Sequence, residues 1–145
     1  MDGLSEIVKG VARTFAGPIL TFGMYIVLYG HLTPGGGFAG GVIMAGCFVL
    51  LVLAYGKAEG AFGLDRASEF WEPFGAFLFL LIAAAGLTVG IFFKNFLLAA
   101  GREQFSIVSG GSVLLSNLAI GLKVWMGVVA VFLGLAMFRR ARPEE

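Results

Sequence analysis

The sequence has little charge. Asp, Glu, Lys and Arg make up 13% of its 145 residues, about half the share usual in a soluble domain. Lys and Arg number 10 against 9 Asp and Glu, a net charge of +1. No basic field therefore invites nucleic acid. There is one cysteine; Cys47 lies in an apolar run and has no second thiol with which to close an internal disulfide. There is one histidine, His31. Acids are missing from the apolar runs: all nine, including Glu72, read as tail or loop residues. Metal-ligand spacing, haem motifs and nucleophile triads are missing too. The segment "GGGFAGG" lacks the GK[ST] ending of a phosphate loop. These absences predict no catalytic residue, no bound metal and no cofactor, and so a protein that is not an enzyme by itself.

What the chain has is apolar surface. Hydrophobic residues make up 59% and the mean hydropathy is +0.94. A soluble domain of this length leaves too much of its surface wet to hide that share. The composition requires a lipid bilayer as solvent. Four runs approach the roughly 20 apolar residues that cross one: about 11–30, 38–55, 74–93 and 113–138. The third run continues apolar through "KNFLLAA". The expected fold is a single all-α membrane domain over 1–145 with four transmembrane helices. Asp2 and Glu6 make the N-terminus acidic, and no small-residue cleavage site follows a short apolar core, so the first run reads as a retained helix. Pro73 fits the first turn of the third helix, where a missing N–H costs nothing. Trp71 and Tyr55 read as interfacial anchors.

Between the first two runs stands "YGHLTPGGGFAGG", Tyr29 to Gly41. Proline followed by three glycines breaks a helix, and irregular backbone at membrane depth survives only against protein or a wet cavity. The block predicts a broken or re-entrant start to helix 2. Gly35, Gly36, Gly37, Gly40 and Gly41 have the small size that lets helix backbones approach. Gly86 and Gly90 repeat the spacing, though glycine is also simply common in membrane helices.

Three polar residues are candidates for an ion path. Lys123 falls about ten residues into the fourth run, roughly 15 Å from its start. A lysine near a helix centre costs on the order of 2.5–3.5 kcal/mol. It either snorkels to the surface or sits against protein or water, where a buried amine gives up its proton more readily than a solvated one. His31 either caps the end of helix 1 or handles protons, for which imidazole is suited near neutral pH. Asn117 lies six residues before Lys123, on a roughly related face, with Ser109, Ser112 and Ser116 nearby. With no acid inside its spans, the chain is not expected to move ions alone, and a carboxylate or a hydrated cavity for Lys123 is expected from a partner subunit.

"GHLTPGGGFAGG", Gly30 to Gly41, closely resembles the signature of the MnhB family, small membrane components of the Mrp-type sodium/proton antiporters. "SGGSVLLSNLAIGLKVWMG", Ser109 to Gly127, resembles that family's second block, and the likeness extends over nearly the whole chain. The resemblance implies a small membrane subunit of a multi-subunit assembly, with sodium ions and protons as the transported species and other subunits as partners. It implies two settings: the stand-alone antiporter, and the membrane arm of hydrogenase-type, ferredoxin-linked complexes, to whose versions the "NLAIGLKV" form looks closer. His31 and Lys123 fall on the family's polar positions. A spacer that only seals its neighbours is the competing reading.

The charges predict orientation. Lys9, Arg13, Lys57, Arg66, Arg139, Arg140 and Arg142 share one side of a four-span chain, against Lys94 and Arg102 on the other. The positive-inside rule places both termini in the cytoplasm of a cell-membrane protein. Reporter fusions at Arg66 and Glu145 are expected to read cytoplasmic and one at Arg102 external; a cytoplasmic signal at Arg102 overturns this topology.

Overall fold

A computed structural model describes residues 4–56, 63–93, 95 and 107–141. Four helices make up most of it: α1 (Glu6–Leu28), α2 (Gly36–Tyr55), α3 (Leu64–Ala85) and α4 (Ser112–Ala141). Four helical segments are long and apolar enough to cross a membrane: Glu6–Leu28, Gly36–Tyr55, Arg66–Thr88, which runs from α3 into the turn after it, and Ser112–Phe138. Among the described residues there is no strand. Lys57, Lys94, Arg102 and Arg142, which enter the orientation argument, lie outside the described residues, as does the apolar continuation over 96–100.

The helices form a row rather than a closed bundle. α2 packs along α1 on one side and α4 on the other, and α3 packs along the far side of α4. α4 touches α1 only lightly, and α3 makes no substantial contact with α1 or α2. Lipid tails give apolar helices no reason to associate, so close backbone approach must supply the attraction. Glycines provide it at each seam. Between α1 and α2, a Cβ on Gly40 would stand 2.7 Å from the Gly23 carbonyl oxygen. Between α2 and α4, a Cβ on Gly41 would meet the Gly121 carbonyl oxygen at 2.8 Å, and one on Gly37 would collide with the Asn117 carbonyl. Between α3 and α4, a Cβ on Gly75 would lie 2.9 Å from the Lys123 amide nitrogen. Gly90 meets nothing within 4 Å; with φ +97° it closes the 3₁₀ turn Gly86–Val89 that follows α3. Below the glycine crossings, Ala45, Val52, Met126, Val129 and Leu133 form the buried core, with Phe48 and Trp125 packed beside it at a ring separation of 5.3 Å.

The turn between α1 and α2 holds the broken helix start. Gly35 and Gly36 have φ of +112° and +55°, the left-handed region that glycine occupies without strain. α3 departs from the expectation at its N-terminus. The helix begins at Leu64, so Glu69, Trp71 and Glu72 are helical and Pro73 lies inside the helix. The polar residues before Phe74 therefore belong to the helix, and the candidate span begins among them at Arg66. Arg66 and Glu69 stay exposed on it. Pro73 lacks the N–H that would bond back to Glu69, a loss that membrane helices tolerate.

Position on α2 separates packing glycines from the rest. Gly46 meets nothing within 4 Å, whereas a side chain on Gly40 meets the backbone of α1. Gly40→Leu is expected to destabilise the chain by more than the ~1–3 kcal/mol of ordinary overpacking, because a carbonyl cannot move aside as a side-chain tip can. Gly46→Leu is expected to melt close to wild type. Thermal unfolding of both variants in detergent checks this.

Candidate functional site

The candidate polar residues fall in two places. The first is the end of the row where α1 meets α2 and α4 begins. His31 follows α1, and its Nε2 shares a hydrogen bond with the Ser109 hydroxyl at 3.1 Å. The His31 ring also closes against Gly110, where a Cβ would lie 2.8 Å from Cγ of the imidazole. Asn95 reaches the same end. Its Nδ2 donates to the Gly110 carbonyl at 3.0 Å, and its Oδ1 accepts from the Ser112 N–H and hydroxyl, both at 2.8 Å. Asn95 thereby caps α4 from seventeen residues away. His31, Asn95, Ser109 and Gly110, with Gly30 and Val113, line an open pocket of about 610 Å³.

Asn117 sits one level deeper, five residues past the start of α4, about 8 Å along the axis. α2 has no side-chain cap of its own. The Gly37 N–H donates instead to Asn117 Oδ1 at 3.3 Å. Gly37 is buried, where a free N–H would lack a partner, so α4 supplies the acceptor that α2 cannot. The Asn117 Nδ2 is buried beside Gly30 and has no partner among the described residues. Ser116 donates to the Ser112 carbonyl one turn back and is satisfied locally.

The second place is the seam of α3 and α4. Lys123 Nζ donates to Glu72 Oε1 at 3.3 Å. The carboxylate expected from a neighbour is thus present in the chain itself. Reading Glu72 as a loop residue hid it: charge spacing alone does not show that the helix continues through "SEFWEP". Gly127, one turn beyond Lys123, leaves room for the Glu72 stem, which a Cβ there would meet at 3.6 Å. Both charged side chains remain partly exposed on the chain's own surface, 48% for Lys123 and 39% for Glu72. The pair lies well inside the row. Gly41 of α2 packs at Gly121 and Val124, and the fourteen residues from there to Tyr55 extend roughly 21 Å further.

The structure therefore divides the three sequence candidates. Asn117 faces α2 and Lys123 faces α3, so the two do not share a face. His31 lies with Ser109 at the pocket. Glu72, Asn95 and Ser109 complete the two sites; Asn95 carried no signal in the sequence beyond its polarity. Among the described residues no three His, Cys, Asp or Glu side chains come together as a metal site.

Comparison with known proteins identifies the family. Residues 7–130 match the family described as a domain related to the MnhB subunit of Na+/H+ antiporters. An uncharacterized protein of Methanocaldococcus jannaschii is 35% identical over 135 residues, covering 89% of this chain and 52% of that protein. A Staphylococcus saprophyticus protein provisionally named antiporter subunit mnhB2 is 43% identical over 84 residues, 58% of this chain and 60% of its own length. A Staphylococcus epidermidis protein of the same provisional name is 43% identical over 53 residues, 37% of this chain and 38% of that protein. The chain thus spans about half the length of the Methanocaldococcus relative and less than two thirds of the staphylococcal ones. The family match covers most of the chain, including the glycine block, Asn117 and Lys123. The chain belongs to the family of domains related to the MnhB subunit of Na+/H+ antiporters.

Proposed function

We propose that this chain is a membrane subunit of a multi-subunit Mrp-type cation/proton antiporter, where it contributes to the ion path and to packing of the assembly. The Lys123–Glu72 pair carries the reading. A titratable acid and base joined at 3.3 Å inside two membrane spans are costly to keep there unless they act on something. Opposite charges hold each other in place, and a cation or proton arriving at Glu72 weakens the attraction that holds Lys123. The pair thus couples a charge on the path to the position of the ammonium. His31, beside the open pocket at the end of the row, is placed for proton exchange with water. Sodium ions and protons are the proposed transported species, and larger subunits of the complex complete the route. The cytoplasmic membrane, with both termini inside, is the proposed location.

Asn117 takes a different role in this reading. Its Oδ1 is engaged by the Gly37 N–H, so it holds the α2 start in place. This contact, with the glycine seams, favours the spacer function as a second reading for that part of the molecule.

The two roles separate by experiment. Lys123→Ala is expected to reduce sodium-driven proton flux in vesicles at least tenfold while subunit content stays at wild type. Lys123→Arg is expected not to restore full flux, because a planar guanidinium does not reproduce the compact, mobile ammonium that Glu72 holds. His31→Ala is expected to be milder, since water can bypass a rim histidine. Asn117→Leu is expected to lower thermal stability by about 1–3 kcal/mol, the cost of a buried N–H left without an acceptor. Wild-type flux in Lys123→Ala would leave the spacer reading in possession.

A further inference from the structure

An apolar trough runs along α4 beside α2. Val49 of α2 and Gly127, Val128, Val131, Phe132 and Leu135 of α4 line a groove of about 350 Å³. Its walls are open: Val131 and Leu135 are each 65% exposed. Lys123, Gly127, Val131 and Leu135 recur every fourth residue and so share one stripe of the helix. Glu72 closes against Gly127. The ion pair therefore stands at the head of the trough, well away from either end of α4.

The pair restricts what can cover the trough. An ammonium has three donors, and Glu72 takes one of them at 3.3 Å. A lipid acyl chain could fill the apolar length but offers no acceptor to the ammonium beside it. A protein helix can satisfy both parts at once.

We propose that the trough headed by the Lys123–Glu72 pair is the docking face for a membrane-spanning helix of a different subunit. That helix lays an apolar stripe along Gly127, Val131 and Leu135 and sets a side-chain oxygen against the Lys123 ammonium. Gly127 gives the closest approach, as small residues do at membrane helix contacts. The proposal rests on reading the chain as one member of a larger assembly, but not on the pair conducting ions.

A photo-crosslinking amino acid replacing Val131 in the intact complex, in native membranes, tests it. Mass spectrometry of the adduct is expected to identify a membrane-spanning peptide of another subunit with an oxygen-bearing side chain about two turns from the cross-linked residue. In the background of Lys123→Met with Glu72→Gln, which keeps side-chain volume, the cross-link is expected to fall about tenfold, or about 1.4 kcal/mol, with the chain still in the membrane at wild-type level. Adducts to lipid only, adducts to a second copy of this chain, or a yield unchanged in the double variant would each overturn the proposal. A cross-link that behaves as expected alongside wild-type flux in Lys123→Ala would sink the ion-path reading and leave the docking face standing.

Discussion

The close approach of α2 and α4 governs the rest of the molecule. Gly37 and Gly41 bring α2 against the backbone of α4 at Asn117 and Gly121, and the same approach carries the Gly37 N–H to the Asn117 side chain. In a bilayer neither element would suffice alone. Apolar helices gain nothing from leaving lipid for each other, so backbone contact must supply the attraction. A helix whose first turn is buried, as at Gly36 and Gly37, must also find an acceptor for its first N–H groups. One seam meets both needs, and it determines the level at which the α1–α2 turn sits and hence where His31 reaches Ser109.

α4 is the organising element. It gives Asn117 to α2, Lys123 to α3 and the Trp125, Met126, Val129 and Leu133 side chains to the core. Opposed demands fall on successive faces of one helix, so it cannot be polar on one side and apolar on the other. Its sequence shows no clean amphipathic stripe for that reason. The open row that results leaves apolar surface on both faces, with Phe22, Phe77 and Val131 among the exposed large side chains. Such a shape suits a chain laid between neighbours better than a compact body that stands alone in lipid.

The ion pair adds a different constraint. In water an exposed salt bridge contributes little. In hydrocarbon the cost of separating its members is high, because each charge alone would face a medium that cannot solvate it. The α3–α4 seam itself rests on the close approach at Gly75, and the 3.3 Å contact, with both side chains partly exposed, lies beside it.

Solvent and local conformation were legible in the sequence. The scarcity of charge and the four apolar runs establish a four-helix membrane chain, since both follow from what a bilayer excludes. The block from Thr33 to Gly41 announces a broken helix start, because proline and glycine act on the backbone locally. The two blocks around Gly30–Gly41 and Ser109–Gly127 carry the family. Which residues meet was not legible. His31 and Ser109 are 78 positions apart, Gly37 and Asn117 80, and Glu72 and Lys123 51. Periodicity within one helix cannot rank such partners. Glu72 shows this most clearly: by composition it belongs to a soluble connection, and only the continuation of α3 past Pro73 brings its carboxylate to the ammonium. Composition selected the medium and the number of spans; the packing of α4 between α2 and α3 decided which polar groups face each other, because in lipid that choice depends on where backbones can approach and not on which residues are apolar.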